Sequence, residues 1–350
     1  MRKIFFIATV MGFSLLANTV NARSWRINHD PEAKADFLSI NDAMKSADVA
    51  EGDVFYLDPG CRLSDQTITR KGVTIYGTGN NFEEENPILS GTTKISASSV
   101  TLIGIRFNGD ISTDKDYTNL RIERCYIEGG IKTVYNSLIQ NCYIVCHKSN
   151  SINFGYMCKV YNNIMYITNG SNGYALIGVI CSGAFLYNNT ILYNGNKGDY
   201  VVRADENNTI KNNIIINTTS KVASDGTTYY QHTIDGTSIS DGNNIVNNVL
   251  STDEANKFAD YPTNKYIGNL PLTDIFVCEG EEGERFRLKE GSPAIGAGAT
   301  GNDCGAYGGE RPYVKWCRPR HMPYIYDAKI PAMPTDDKLN ITLKIKTQDE

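Results

Sequence analysis

Two cations in the middle of the chain, Lys132 and Arg203, have the chemistry of a general base or of a clamp on an anion. A base that removes a proton beside a carboxylate and a cation that stabilises the enolate-like anion together satisfy the requirements of β-elimination. Four further side chains can hold a hydroxyl-rich ligand: Asn153, Tyr230, His232 and Asp235. These residues are widely separated in the sequence, so only a folded scaffold can bring them to one surface.

A short motif repeats through the same region and indicates what that scaffold is. Each copy reads apolar, any residue, Asn, Asn or Cys, any residue, apolar. Five close copies begin at Ile139, Val160, Leu186, Ile210 and Ile245, and looser ones begin at Leu102 and Ile122. The copies are short, β-branched and aromatic, which excludes a helical repeat, and most intervals are too short for a propeller blade of about 40 residues. The regular Leu framework of a leucine-rich repeat is missing. The pattern predicts one coil of a parallel β-helix per copy.

Each predicted coil divides into three short strands. Around Asn212 these strands cover residues 200–204, 208–211 and 214–216, and the coil around Asn162 divides in the same way. Alternate side chains point inward, so three sheets enclose a narrow, solid core. The expected fold is all-β: a single right-handed parallel β-helix of about eight to ten coils, judged from the repeat spacing.

Asparagine accounts for 35 of the 350 residues, and the predicted fold explains this excess. Coils stack about 4.8 Å apart, so amides at one turn position can donate to and accept from the coils on either side. We expect this ladder on the first Asn of each motif: Asn141, Asn162, Asn188, Asn212 and Asn247. A second row lies beside it: Cys125, Cys142, Asn163, Asn189, Asn213 and Asn248.

The N-terminus has the features of a signal peptide. A positive start precedes an apolar run over residues 4–16, which is too short to span a membrane, and small residues follow at a cleavage site. A short amphipathic helix at 37–47 suits an N-terminal cap, and alternation over 339–346 predicts a terminal strand. The predicted boundaries are 1–22 (signal peptide, removed), 23–50 (N-terminal cap), 51–285 (coils) and 286–350 (C-terminal cap and strand).

The charge of the chain bears on the class of partner that it can bind. The formal net charge is −5 and the basic residues do not cluster, which argues against nucleic acid as a partner.

The nine Cys are an odd number, so at least one is unpaired within the chain. A disulfide between Cys304 and Cys317 is one alternative, and small buried side chains are the other. Cys125 and Cys142 are expected as a stacked pair.

Several segments resemble a known superfamily. Residues 38–43 (LSINDA), 52–60 (GDVFYLDPG) and 72–77 (GVTIYG) resemble the opening of secreted pectate-lyase-like right-handed β-helix proteins. Residues 286–298 (FRLKEGSPAIGAG) and 304–308 (CGAYG) are similar to the closing segment of bacterial surface β-helix proteins called choice-of-anchor Q domains. The resemblance covers most of residues 36–310. It implies the fold but not an activity, because this superfamily holds lyases, hydrolases, esterases and adhesins.

The resemblance implies that glycans lie along the first sheet of the coils, where Lys132, Asn153, Arg203 and Asp235 are expected to face outward. Tyr230 and His232 belong to a long insertion beside it. Lys132 and Arg203 are then the candidate catalytic residues, and the others bind substrate. A bridging Ca²⁺ would use carboxylates such as Asp199, Asp205, Glu206 and Asp235, but no spacing identifies a metal site.

Three functions remain open on the sequence alone. The first is a secreted or surface protein that interacts with polysaccharide, with catalysis unproven. The second is a polysaccharide lyase that cleaves an acidic uronate polymer. The third is an adhesin or structural surface protein. The Asp-Asp and Gly-His-Gly motifs of polygalacturonase-like glycosidases are absent from the coils, which disfavours hydrolysis by two carboxylates. The chain is expected to be a monomer without a membrane span, in the periplasm, on the surface or in the surroundings of a Gram-negative bacterium.

Overall fold

The structure is a computed structural model. It describes residues 22–78, 86–114, 117–147, 152–168, 177–195, 200–218, 232–236, 239–251, 258–280, 283–314, 324–329, 338 and 342–346. The predicted signal peptide lies outside the described residues except for its last position. Within the described part of the chain, none of the helices has the length and apolar character needed to cross a bilayer.

Three long parallel sheets form the molecule, which confirms the predicted parallel β-helix. Sheet A contains β1 (Ser24–Ile27), β2 (Val54–Leu57), β5 (Thr74–Tyr76), β8 (Thr101–Ile103), β11 (Arg121–Glu123), β14 (Leu138–Gln140), β17 (Lys159–Tyr161), β20 (Phe185–Tyr187), β23 (Thr209–Lys211) and β26 (Asn244–Val246). Sheet B contains β3 (Arg62–Leu63), β6 (Ile88–Ser90), β9 (Arg106–Asn108), β12 (Tyr126–Glu128), β15 (Tyr143–Cys146), β18 (Ile164–Thr168), β21 (Thr190–Asn194), β24 (Ile214–Asn217), β27 (Val249–Leu250) and β28 (Lys265–Tyr266). Sheet C contains β4 (Gln66–Ile68), β7 (Thr93–Ile95), β10 (Ile111–Thr113), β13 (Ile131–Val134), β16 (Ile152–Phe154), β19 (Ile177–Cys181), β22 (Tyr200–Ala204) and β25 (His232–Asp235).

The chain visits the sheets in the order A, B, C and then returns to A one coil further along. The predicted coil around Asn212 is β22, β23 and β24, and its predicted bounds agree with the structure to within one residue. Sheets of eight to ten strands confirm the predicted number of coils. Within the predicted N-terminal cap (23–50), β1 pairs with β2 in sheet A.

Stacked aliphatic and aromatic side chains fill the core. The central residue of each three-residue strand of sheet A is buried, and its two neighbours are at least partly exposed except Glu123 and Gln140, which are buried. Phe55, Ile75, Leu102 and Ile122 are in register on successive coils and are completely buried. Each such side chain contributes roughly 1.5–3 kcal/mol by its removal from water.

The asparagine ladder is present, but it runs along the second Asn of each motif rather than the first. Asn163 donates from Nδ2 to Asn189 Oδ1 (3.0 Å), and Asn189 donates in turn to Asn213 (3.0 Å). The row continues through Asn248 to Asn264 at 3.0 and 2.9 Å. The prediction that the first Asn row forms the ladder was therefore wrong.

The first Asn of each motif supplies a backbone conformation instead. Asn162, Asn188, Asn212 and Asn247 have φ between 53° and 58°, in the left-handed region where Asn is among the few side chains tolerated. This residue turns the chain sharply from sheet A into sheet B. Its side chain then points outward, away from the ladder.

Those outward amides hold the C-terminal segment, residues 294–314, along the corner between sheets A and B. Asn162 Nδ2 donates to the carbonyls of Ala306 (2.9 Å) and Gly308 (2.8 Å), and the Ala299 N–H donates to Asn212 Oδ1 (2.9 Å). The segment therefore crosses the coils in reverse order and packs on the outer face of sheet B.

A cap covers the N-terminal end of the core. The predicted N-terminal helix is α1 (Ile40–Lys45), which is shorter than predicted because Phe37 pairs with Ile27 instead of joining the helix. The Ser39 hydroxyl accepts the Asp42 N–H (3.0 Å) and starts the helix. Towards the C-terminus the chain forms α2 (Leu272–Ile275), and β29 (Tyr324–Lys329) pairs antiparallel with β30 (Thr342–Lys346). The latter strand falls within the predicted terminal strand.

Eight cysteines of the described residues form no disulfide, and seven of them are buried. Cys125 and Cys142 lie one coil apart with thiols that donate to backbone carbonyls, which confirms the stacked pair. Cys304 forms no disulfide: its thiol donates to the Asn247 carbonyl (3.1 Å), and burial raises its pKa to about 12. Its proposed partner, Cys317, lies outside the described residues.

Candidate functional site

The outer face of sheet C presents one outward side chain per coil, as the sequence predicts. Register joins Thr67, Lys94, Ser112 and Lys132 in one run along β4, β7, β10 and β13. A second run joins Asn153, Ile180, Arg203 and Asp235 along β16, β19, β22 and β25. A register shift between β13 and β16 separates the two runs. Together they are called the sheet C row below.

Lys132 is held by a carboxylate on the preceding coil. Its ammonium lies 2.5 Å from Asp110 Oδ2, while Asp110 Oδ1 accepts the Gly130 N–H (2.7 Å). The Lys132 side chain is still 45% exposed, so an anionic ligand can reach it. Because its donor is already engaged by a carboxylate, Lys132 is better placed as a clamp than as a free base.

Arg203 is the second candidate cation, and it lies beside two carboxylates. Its Nε donates to Asp205 Oδ1 (2.7 Å), and it is in register with Asp235 on the neighbouring strand. The hydrogen bond and charge of Asp205, together with the charge of Asp235, raise the pKa of Arg203. A guanidinium in this setting remains protonated, so Arg203 can clamp an anion but cannot act as a base.

His232 begins β25, at the opposite end of that strand from Asp235. Its ring stacks on Tyr200 with ring centroids 4.7 Å apart and an angle of 20° between the planes. The pair offers a half-buried aromatic edge beside the sheet C row. Two other predicted residues, Tyr230 and Asp199, lie outside the described residues.

The structure groups some of the predicted residues and separates others. Arg203, Asp235 and His232 lie on adjacent strands, with Asn153 two strands from Arg203. Lys132 lies three strands from Arg203, which corresponds to about 14 Å at the usual strand spacing. One sugar unit cannot bridge that distance, so Lys132 and Arg203 do not form a single catalytic pair.

A groove of about 410 Å³ at the corner between sheets B and C was not predicted. Its lining residues are Gly91, Thr92, Asn108, Gly109, Asp110, Glu128, Gly129, Cys146 and His147. The glycines are required by close contact between coils: a Cβ on Gly109 would lie 1.9 Å from the Gly91 carbonyl oxygen, and one on Gly129 would lie 2.4 Å from that of Gly109. The signal was present in the sequence, because each of three successive strands of sheet B ends in a polar residue and is followed directly by a glycine.

The groove collects acid–base groups. Glu128 lies 3.5 Å from Arg106 of the neighbouring coil. His147 Nδ1 is 2.7 Å from Thr168 Oγ1. Asp110, which lines the groove, is paired with Lys132. This arrangement can hold a polar ligand and can exchange protons with it. Within the described residues, no group of three or more His, Cys, Asp or Glu side chains is placed to hold a metal ion.

No protein-family model matches this chain, and no curated protein does.

Proposed function

We propose that this protein is exported and binds polysaccharide along the outer face of sheet C. The observation that carries the proposal is the sheet C row, which repeats a hydrogen-bonding side chain on seven of its eight coils. A polysaccharide is an extended chain of repeating hydroxyl groups, and a periodic row of donors and acceptors fits such a ligand.

Charge on the same face favours an acidic polymer as the ligand. Lys94, Lys132 and Arg203 are each paired with a carboxylate, yet each side chain is 45–49% exposed. An exposed ion pair contributes only about 0.2–1 kcal/mol, so a sugar carboxylate can replace the protein's own at little cost. Membership of the pectate-lyase-like superfamily, with a closing segment of the choice-of-anchor Q type, remains part of this proposal.

A binding series tests the sheet C face. Purified residues 23–350 would be run in gels containing pectin, alginate, a glycosaminoglycan or a neutral glucan. We expect retardation by at least one acidic polymer. The double change Asn153→Ala and Arg203→Ala should weaken it about tenfold, the worth of two hydrogen bonds at an exposed site. Thr74→Ala, on sheet A, is the matched control. If no polymer retards the wild type, or if the double variant is retarded equally, the proposal is wrong.

A second candidate function, β-elimination on a uronate polymer, is favoured by the corner groove, which Glu128 and His147 line and where Lys132 is paired with the lining residue Asp110. A lyase product carries a new carbon–carbon double bond that absorbs ultraviolet light. The same polymers would be incubated with the protein, with and without Ca²⁺. An absorbance increase that Lys132→Ala or His147→Ala abolishes is the result expected of a lyase. No increase on any polymer would reject catalysis and leave binding alone.

A further inference from the structure

The outer face of sheet A carries a second, different surface. Most three-residue strands there bury only the central side chain and turn the other two outward, but on β11 and β14 the last residue is buried as well. On β17, β20 and β23 the buried residues are Val160, Leu186 and Ile210. The outward residues form two columns, which are Lys159, Phe185 and Thr209, and Tyr161, Tyr187 and Lys211.

Aromatic rings occupy the middle of this surface. Tyr161 and Tyr187 stack across adjacent coils with centroids 5.2 Å apart and 14° between their planes. Phe185 meets Tyr187 edge to face at 6.2 Å and 82°. All three side chains are half-buried, and burial raises the pKa of both phenols, so their hydroxyls remain donors. The five residues Lys159, Tyr161, Phe185, Tyr187 and Lys211 are called the aromatic–lysine platform below.

The two lysines of the platform differ from the cations of sheet C. Lys94, Lys132 and Arg203 each face a carboxylate within 3.4 Å. Neither Lys159 nor Lys211 has a carboxylate within ion-pair distance among the residues that the structure describes. The platform therefore carries two ammonium groups outside the ion pairs of the described residues, on a chain whose formal net charge is −5.

The strands that flank the platform add no negative charge. On β14, Leu138 is partly exposed and Gln140 is buried, and on β26 Asn244 is exposed and Val246 partly exposed. The nearest carboxylate along the sheet, Glu123 on β11, is buried and is held by Arg121 and Gln140. Five strands without an exposed carboxylate extend over about 19 Å along the axis, at the usual strand spacing.

We infer that the aromatic–lysine platform is a second binding surface, separate from sheet C, for a polysaccharide that bears carboxylates. Its rings offer apolar surface and phenol donors to sugar units, and Lys159 and Lys211, two coils apart, pair with carboxylates spaced along the polymer. Nucleic acid also combines rings and negative charge, but it needs a far larger basic footprint than two lysines. The inference rests on the proposed function only for the class of ligand.

A matched pair of polymers tests the platform. Polygalacturonate and its methyl-esterified form share one backbone but differ in charge. We expect the double change Lys159→Gln and Lys211→Gln to weaken polygalacturonate binding about tenfold and to reduce its salt dependence, with little effect on the esterified polymer. Tyr161→Leu should weaken both. The double change Lys34→Gln and Lys71→Gln removes the same charge from exposed positions elsewhere and should leave binding unchanged. Circular dichroism and melting confirm that each variant is folded.

The outcomes separate this inference from the sheet C proposal. If the platform lysine variant binds polygalacturonate like the wild type while Asn153→Ala with Arg203→Ala loses binding, the platform is rejected and sheet C stands. If the platform variant alone loses binding, the platform stands and the sheet C site is rejected. If the wild type binds neither polymer, both are rejected. Tighter binding of single-stranded DNA than of polygalacturonate, lost in the platform variant, would also overturn the inference.

Discussion

At the scale of single residues, the two asparagines of each motif have different tasks. Asn189 is completely buried and its amide makes four hydrogen bonds, to Val160, Asn163 and Asn213. Asn188, the preceding residue, makes one longer bond to the Asp303 carbonyl (3.3 Å) and has φ 55°. Asn189 is needed for its side chain and Asn188 for its backbone.

Adjacent substitutions test this division. Asn189→Ala leaves buried donors and acceptors without partners and should lower the free energy of unfolding by about 3 kcal/mol or more. Asn188→Gly keeps the left-handed turn and should cost less than about 1 kcal/mol. Urea unfolding of both variants gives the comparison. Equal losses would show that the two residues do not divide the work as described.

The cysteines give a second prediction at this scale. Burial raises the pKa of Cys158 to about 11 and holds that of Cys181 well above its usual value, so neither thiol is ionised at neutral pH. A thiolate is the reactive form, so we expect maleimide to label these residues only after unfolding. Reductant should leave the melting temperature unchanged, because the eight described cysteines form no disulfide. A lower melting temperature in reductant would contradict this.

At the scale of elements, Asp53 fastens β1 to the first coil. Its carboxylate accepts hydrogen bonds from the Arg23 N–H (2.8 Å), the Trp25 indole (2.7 Å) and the Ala50 N–H (2.9 Å). Burial acts to raise the pKa of Asp53, but these bonds outweigh it and the pKa is lowered. The charged carboxylate therefore stabilises the fold above the unfolded-state pKa of about 3.9, and this stabilisation is lost as the pH falls through the lower folded value.

Asp53→Asn should remove that stabilisation at neutral pH, since an amide cannot accept at both of its ends. We expect a loss of about 1–3 kcal/mol, and a smaller dependence of stability on pH in the acid range than the wild type shows. Urea midpoints between pH 7 and 3 measure both effects. Asp48→Asn, an exposed neighbour, is the control; an equal response from it would locate the acid sensitivity elsewhere.

The sequence predicted the positions of the strands well, but it did not predict the assignment of the ladder or the contacts between distant segments. The motif spacing predicted the strands of the coil around Asn212 and the outward positions on sheet C, because one repeat aligns all copies. It could not assign the ladder, since Asn suits both a buried amide row and a left-handed turn. Contacts such as that of Asn162 with Ala306 join residues far apart in sequence, and no periodicity encodes them. The pairing of Lys132 with Asp110 could have been predicted from the repeat spacing, because the two residues lie on successive coils.

For the whole molecule, the three sheets have three different outer faces. Sheet B turns apolar side chains outward: Tyr126, Tyr143, Ile164, Leu192, Ile214, Ile216 and Val249. Phe276, Phe286 and Tyr313 of the C-terminal part cover them. Sheets A and C turn mainly polar and charged residues outward and carry the two proposed binding faces. A solenoid with one apolar side must cover it, and the sides left open are free to meet a long ligand.

A chain that ends at residue 270 tests this arrangement. It retains the strands of all three sheets but loses the cover of sheet B, including Phe276 and Phe286. We expect it to bind a hydrophobic dye and to scatter light at concentrations where the full chain is clear, because a large apolar patch becomes exposed. Tyr56→Ser, on the open face of sheet A, is the control and should do neither. A truncated chain that stays monomeric and does not bind the dye would show that the C-terminal segment does not protect sheet B.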